Sequence, residues 1–246
     1  MTGAAFDSLA ARYDALWSES PIGRAQREAV WRRIDPLFKP GDTVLDLGCG
    51  TGVDALHLAE RGVRVRAIDA SAGMVRIARD RGVDARKLRI EELPEVSGVF
   101  DGAISNFGAF NCVRGIPAAT CELARLVRRG GHLAICVMGP CAIREFGHYL
   151  VRGKVRKACR RWRAGGTSTS LGVRVTYPTV RQLARAFAPD FLLIEWCGIG
   201  LAVPPSYVDH LSVRGVERLA VIDRRIAHWP ALRALADHRL LIFTRV

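Results

Sequence analysis

The stretch Thr43-Val44-Leu45-Asp46-Leu47-Gly48-Cys49-Gly50-Thr51-Gly52 decides how this chain is read. Lys39-Pro40-Gly41-Asp42 precedes it as a turn, and Val44, Leu45 and Leu47 form an apolar run of strand length. The run closes on an acid and three alternating glycines, then opens into a helical pattern from Val53 to Arg61. Glycines at a strand-to-helix turn permit a tight bend and leave no Cβ between backbone and ligand. The helix start offers free N–H groups and a partial positive charge, so the turn suits a nucleotide-like ligand.

Two ligands fit that turn. Gly50-Thr51-Gly52-Val53-Asp54-Ala55 matches the dinucleotide fingerprint, and Asp69 follows about 20 residues on, where a ribose-binding acid belongs. In the other register, Asp46-x-Gly48-x-Gly50-x-Gly52 resembles motif I of the class I S-adenosylmethionine-dependent methyltransferases. An acid two positions before the first glycine repels a pyrophosphate but helps to hold an ammonium group, through backbone or water, so Asp46 favours the second register. Three further marks follow in family order. Phe6-Asp7-x-x-Ala10-x-x-Tyr13-Asp14 resembles the N-terminal opening of small-molecule methyltransferases, of the ubiquinone/menaquinone-methyltransferase-like branch. Phe100 to Gly108 resembles the fourth strand and its exit loop, and Arg128-Arg129-Gly130-Gly131-His132-Leu133 the turn into the fifth.

The resemblance implies S-adenosylmethionine as cofactor. It lays Gly48, Cys49, Gly50 and Gly52 along the methionine part, gives both ribose hydroxyls to Asp69 beside Ala70, and closes Tyr13 over the ligand. Asp69 could equally cap the helix that starts at Ser71. Family members commonly place an acid after the third strand, against the adenine; here Arg89 stands at that position, leaving Ile90 and Glu91 to offer backbone and an apolar wall. Asn106 and Phe107 fall where the family places the methionine end and the acceptor. Ser105-Asn106-Phe107-Gly108 is not the Asn/Asp-Pro-Pro-aromatic motif of many enzymes that methylate base amines, which counts against that chemistry. Phe110, Asn111 and Cys112 either line the acceptor pocket or pack the loop onto the sheet; Tyr149, Tyr177 and Tyr207 are further acceptor-side candidates.

Strand and helix patterns alternate through the first half, with strands expected near 43–47, 63–68, 86–90, 100–105 and 132–138 and helices near 53–61, 71–81 and 117–129. That order predicts an α/β, Rossmann-like sheet covered on both faces, with its ligand at the carboxyl ends of the strands. The resemblance implies seven strands with the last pair antiparallel, here Phe191 to Trp196 and Leu240 to Thr244. A short strand is also expected from Val173 to Tyr177, after a flexible Gly165–Ser170 loop. Two insertions, about 140–177 and 201–236, and the N-terminal helices of residues 1–39 are expected to cover the strand ends as a lid on a single 246-residue domain.

Residues 141–163 read as one helical stripe carrying eight basic residues against the lone acid Glu145. The chain's net charge is +13, so this is either a solvated basic surface or a site for an anionic partner: an acidic or carrier-bound small molecule, a membrane surface or RNA. No apolar run reaches the roughly 20 residues of a membrane span. Seven scattered cysteines, with no secretion-like N-terminal order, point to a reducing cytoplasm. No metal-ligand spacing is present, so no metal is expected.

The function expected is methyl transfer from S-adenosylmethionine to a small organic acceptor, at oxygen first, then carbon or nitrogen. The rivals are an RNA methyltransferase docking through the basic 141–163 stretch, and a non-catalytic or nicotinamide-binding relative. No catalytic side chain is nominated: His148, Tyr149, Tyr177, Tyr207 and His210 are candidate bases, none with a partner identifiable in sequence. In-line displacement at a sulfonium depends chiefly on alignment and closeness.

Overall fold

The computed structural model describes residues 2–169, 171–206 and 211–246. Tyr207 and His210 lie outside the described residues. Ten helices are labelled in chain order: α1 (Thr2–Asp7), α2 (Ala10–Tyr13), α3 (Pro21–Ile34), α4 (Val53–Glu60), α5 (Ala72–Asp80), α6 (Ile116–Leu126), α7 (Ile143–Leu150), α8 (Val155–Ala158), α9 (Val180–Phe187) and α10 (Val213–Ile226). The strands are β1 (Thr43–Leu47), β2 (Arg64–Asp69), β3 (Asp84–Lys87), β4 (Phe100–Ser105), β5 (Val127–Met138), β6 (Thr167–Ser168), β7 (Arg174–Val175), β8 (Phe191–Ile199) and β9 (His238–Arg245).

Among the described residues, seven strands form one sheet in the order β3-β2-β1-β4-β5-β9-β8. The first five run parallel; β9 is antiparallel to both β5 and β8. Period-two alternation sorts the strand residues into two layers. Leu45, Leu47, Ala103, Leu133, Ile135, Leu241 and Phe243 face one core with Leu123 of α6 and Phe187 of α9. Val44, Ile104, Ala134, Cys136, Leu240 and Ile242 face the other, with Val30 and Ile34 of α3 and Leu58 of α4. Strand order reverses at β1, which lies between β2 and β4, and that is where ligands bind in such sheets.

Three elements depart from expectation. The third strand sits at Asp84–Lys87 rather than 86–90: after a last bond from Leu88 N to Asp69 O at 3.0 Å, Leu88 and Ile90 enter the core, and Glu92 Oε2 accepts from Arg89 N at 2.9 Å to start a 3-10 turn. The 141–163 stripe is not one helix: Gly153 adopts φ +66° and splits α7 from α8. The strand expected over Val173–Tyr177 shortens to Arg174–Val175 and pairs with Thr167–Ser168 in a separate ribbon, its hairpin begun by Gly165 and Gly166 with positive φ.

The basic stretch is anchored from inside. Arg161 is buried and binds Glu145, Asp237 Oδ1 (2.5 Å) and the carbonyls of Gly139 (3.2 Å) and Asp237 (3.1 Å), while Arg160 Nε donates to Glu145 Oε1 at 2.7 Å. These two cations therefore do not belong to a solvated face. The described residues of 201–236 lie elsewhere: Val216 of α10 packs with Val203 against Ile22 of α3.

Candidate active site

A cavity of about 330 Å³ opens at the carboxyl ends of the five parallel strands. The turn after β1 is strapped to β2, since Gly48 N and Cys49 N both donate to Ile68 O, at 2.8 and 3.0 Å. Asp69 joins the two strand ends: its Oδ2 accepts from Gly50 N at 2.9 Å and its Oδ1 from Ser71 N at 2.8 Å. Asp69 thus lines the cavity and supports the start of the next helix at once. Burial pushes the Asp69 carboxyl up, against the pull of those two N–H groups.

The glycines do different jobs. Gly48 lines the cavity, and a Cβ there would stand 2.4 Å from Ala109 Cβ, so its absence lets the β4 exit loop close on the turn. Gly50 lines it too, and a Cβ there would meet nothing within 4 Å. Gly52 does not line it; its Cβ would strike Val83 Cγ2 at 2.9 Å, so this glycine serves the packing of α4 against the α5 layer. The nicotinamide register needs a glycine near this position to face a pyrophosphate. Cys49 is also buried behind the turn, whereas Ala70 lines the cavity.

Asp46 does not line the cavity: it is buried beneath the turn with Oδ2 lacking a hydrogen-bond partner among the described residues. Burial, then the neighbouring Asp54 carboxylate, hold its carboxyl well above the usual range. Asp54 is engaged by Arg27 Nη1 at 2.5 Å and Trp31 Nε1 at 2.7 Å. The Arg27 guanidinium lies 4.8 Å from the Trp17 ring and 5.1 Å from Phe107. Phe107 lines the cavity with φ +52°, a left-handed conformation held by Trp17 at 4.6 Å and His238 at 5.4 Å. The N-terminal helices therefore fix both the floor and the β4 exit loop. Thr51 Oγ1 and Arg81 bind Asp14 at 2.7 Å each, and Asp7 Oδ1 accepts from Ser71 Oγ at 2.5 Å.

Tyr13, Ile90, Glu91 and Asn106 all line the cavity. Withdrawal from water pushes the Tyr13 phenol up to about 12, so it is a donor at neutral pH. Partial burial works against Glu91, yet the Arg114 N–H at 3.0 Å and Arg89 at 3.4 Å hold it below the usual carboxylate range. Asn106 is buried, and neither its Oδ1 nor its Nδ2 has a partner among the described residues. An amide with both ends unmet at a cavity wall fits a ligand offering a donor and an acceptor together, as an amino-acid end does.

The acceptor-side candidates divide. Cys112 lines the cavity, its thiol pushed up to about 11 by burial. Phe110 does not; it is core, 6.0 Å from the Phe187 ring. Asn111 is a clasp: Nδ2 donates to Met138 O (2.9 Å) and Thr176 O (2.7 Å), and Oδ1 accepts from Met138 N (2.9 Å). It ties the β6–β7 ribbon to the end of β5. Tyr149 is off the cavity, its ring 5.8 Å from Lys157 Nζ, and His148 is held by Arg152 at 2.9 Å. Tyr177 bonds Thr167 through its hydroxyl at 3.3 Å beneath the Arg161 guanidinium. The wall that sequence reasoning did not assign is apolar: Val113, Met138, Leu171, Val173 and Val175. The alternation of Val173 and Val175 is its one sequence signal. Among the described residues of 201–236, none lines the cavity.

Replacing Asn111 by alanine removes the three side-chain hydrogen bonds and loosens the ribbon, which keeps the bonds from Thr176 N (2.8 Å) and Thr176 Oγ1 (3.1 Å) to the main-chain carbonyl of residue 111. The expected cost is about 3 kcal/mol of stability, together with faster amide exchange at Val173–Thr176, read by hydrogen-exchange mass spectrometry.

Residues 44–131 match the family described as "Methyltransferase domain". The chain is 35% identical over 158 residues to a demethylmenaquinone methyltransferase of Thermobifida fusca, covering 61% of this chain and 62% of that protein. It is 34% identical over 160 residues to a demethylmenaquinone methyltransferase of Mycobacterium sp. (strain KMS), covering 62% of this chain and 68% of the relative. The fold is similar to a geranyl diphosphate C-methyltransferase from Streptomyces coelicolor, with a TM-score of 0.56 and 18% identity, covering 91% of this chain and 79% of that one. The strap of Asp69 across the glycine turn, the matched strand-to-strand segment and these relatives agree: the chain belongs to the class I S-adenosylmethionine-dependent methyltransferase family.

Proposed function

We propose that the protein transfers the methyl group of S-adenosylmethionine to a small, largely apolar, quinone-like acceptor. The observation that carries this reading is a single cavity with a polar end at Gly48, Gly50, Asp69 and Asn106 and an apolar wall at Val113, Met138, Leu171, Val173 and Val175. The relatives named for demethylmenaquinone support the acceptor class. Asp69 would accept from the ribose hydroxyls, Ile90 and Glu91 would flank the adenine, Asn106 would meet the amino-acid end, and Tyr13 would close over it. The bound cofactor supplies a methyl group on a sulfonium, already activated for displacement.

The chain's own work is then alignment and exclusion of water. Neither Tyr13, pushed up to about 12, nor Cys112, pushed up to about 11, is a ready base at neutral pH, and Glu91 is a weak one. The acceptor therefore arrives with its own nucleophile, an anionic oxygen or an electron-rich ring carbon. Arg89 lines the cavity with Nε toward Glu91 at 3.4 Å, and its remaining guanidinium donors would suit an anionic substituent. The seven cysteines, free among the described residues, suit a reducing cytoplasm.

Filling the apolar wall tests this division. Val173→Trp is expected to leave the Kd for S-adenosylmethionine within about twofold and to lower transfer by roughly a hundredfold or more, since a blocked near-attack geometry costs that much. Calorimetry and a labelled-methyl assay read the two separately. Loss of cofactor affinity in the same variant would place the cofactor, not the acceptor, against Val173.

A further inference from the structure

The first insertion presents a surface that the cavity does not use. Residues 151–157, Val-Arg-Gly-Lys-Val-Arg-Lys, are exposed throughout and carry four cations and no acid. Val151 is 81% exposed, Val155 55% and Trp162 57%, and Ile143 and Leu150 are exposed as well. Helical geometry places Ile143 and Leu150 on the face of α7 turned away from Glu145, which is buried against Arg161. The only acid of residues 141–163 is thereby taken inward, and the outward surface is cationic and apolar together. Scattered apolar residues need no explanation, but these five fall within twenty positions, interleaved with cations, on and beside the mutually packed helices α7 and α8.

We infer that this surface docks the protein on a membrane bearing anionic phospholipid headgroups. Phosphate-rich RNA would use the cations, but exposed valines, leucine and isoleucine gain nothing on a phosphate backbone. An interface takes both: the cations meet the headgroups while Val151, Val155 and Trp162 enter the acyl boundary. The chain runs directly from this patch into the β6–β7 ribbon, whose Val173 and Val175 line the cavity, so docking holds the cavity wall close to the lipid phase. The inference goes beyond the proposed reaction and stands without it.

The test is co-sedimentation of the full chain with vesicles of phosphatidylcholine alone and of phosphatidylcholine mixed with phosphatidylglycerol. Binding is expected only to the anionic vesicles, with a blue shift in tryptophan emission that Trp162→Phe removes. Lys154→Gln with Arg156→Gln should weaken partitioning by roughly fivefold per charge. Val151→Ser with Val155→Ser should weaken it by roughly tenfold. All are exposed positions, and unchanged melting temperatures confirm that the fold is intact. No binding to anionic vesicles at low salt would overturn the inference. So would binding that follows charge but ignores the valines, the behaviour of an RNA-docking surface.

Discussion

Replacing Asp69 by alanine is expected to raise the Kd for S-adenosylmethionine by roughly a hundredfold or more, the worth of two hydrogen bonds to a charged acceptor. Two losses combine. The carboxylate that would accept from the ribose is gone, and Gly50 N and Ser71 N lose the group that sets the turn. Asp69→Asn separates them, because an amide oxygen can serve one N–H but not both. Its affinity should fall between wild type and alanine. The pH dependence follows from burial. Since burial raises the Asp69 carboxyl, protonation begins at a higher pH than for an ordinary aspartate. Cofactor affinity should therefore decline on acidification earlier than an exposed carboxylate would dictate, and the decline should vanish in Asp69→Asn. Isothermal titration over that range checks both.

Arg161→Met is expected to cost about 3–5 kcal/mol, because it leaves Glu145 and Asp237 buried without their shared cation. For a chain of this size that corresponds to a fall in Tm of roughly 10 °C. Burial alone would raise Asp237, but His238 at 3.2 Å and Arg161 at 2.5 Å hold it well below the usual carboxylate range. A carboxyl depressed on folding contributes stability that is fully present above its unfolded value. That contribution is lost as pH falls through about 4 toward the depressed folded value. Wild-type Tm should drop across that window, and Arg161→Met should flatten the drop. A Tm that is equally acid-sensitive in both proteins would mean that residues 141–163 are not anchored through this triad.

The sequence carries most of the sheet because its signals there are local. The apolar run into Gly48, the continuous apolar runs of β5 and β9, and Asp69 at a strand end each depend on neighbours within one element. What it hides is what distance in the chain hides. Arg161 reads as one more exposed cation until folding brings it to Asp237, 76 residues away. Gly52 shares a motif with Gly48 and Gly50, and only the position of Val83 shows that it faces packing rather than ligand. Asn111 offers no hint from composition that its three partners come from β5 and the ribbon. The split of the basic stretch at Gly153 was the more readable part, since a glycine within a helical stripe marks a candidate break.

The proposed transfer of a methyl group to an apolar acceptor in this cavity can be checked in one incubation. The protein is mixed with methyl-labelled S-adenosylmethionine, a reduced quinone lacking the methyl group, and RNA in the same tube. Label is expected in the organic phase, dependent on the quinol and abolished by Asp69→Ala. Label confined to a nuclease-sensitive precipitate, or no label in the organic phase despite bound cofactor, would contradict it.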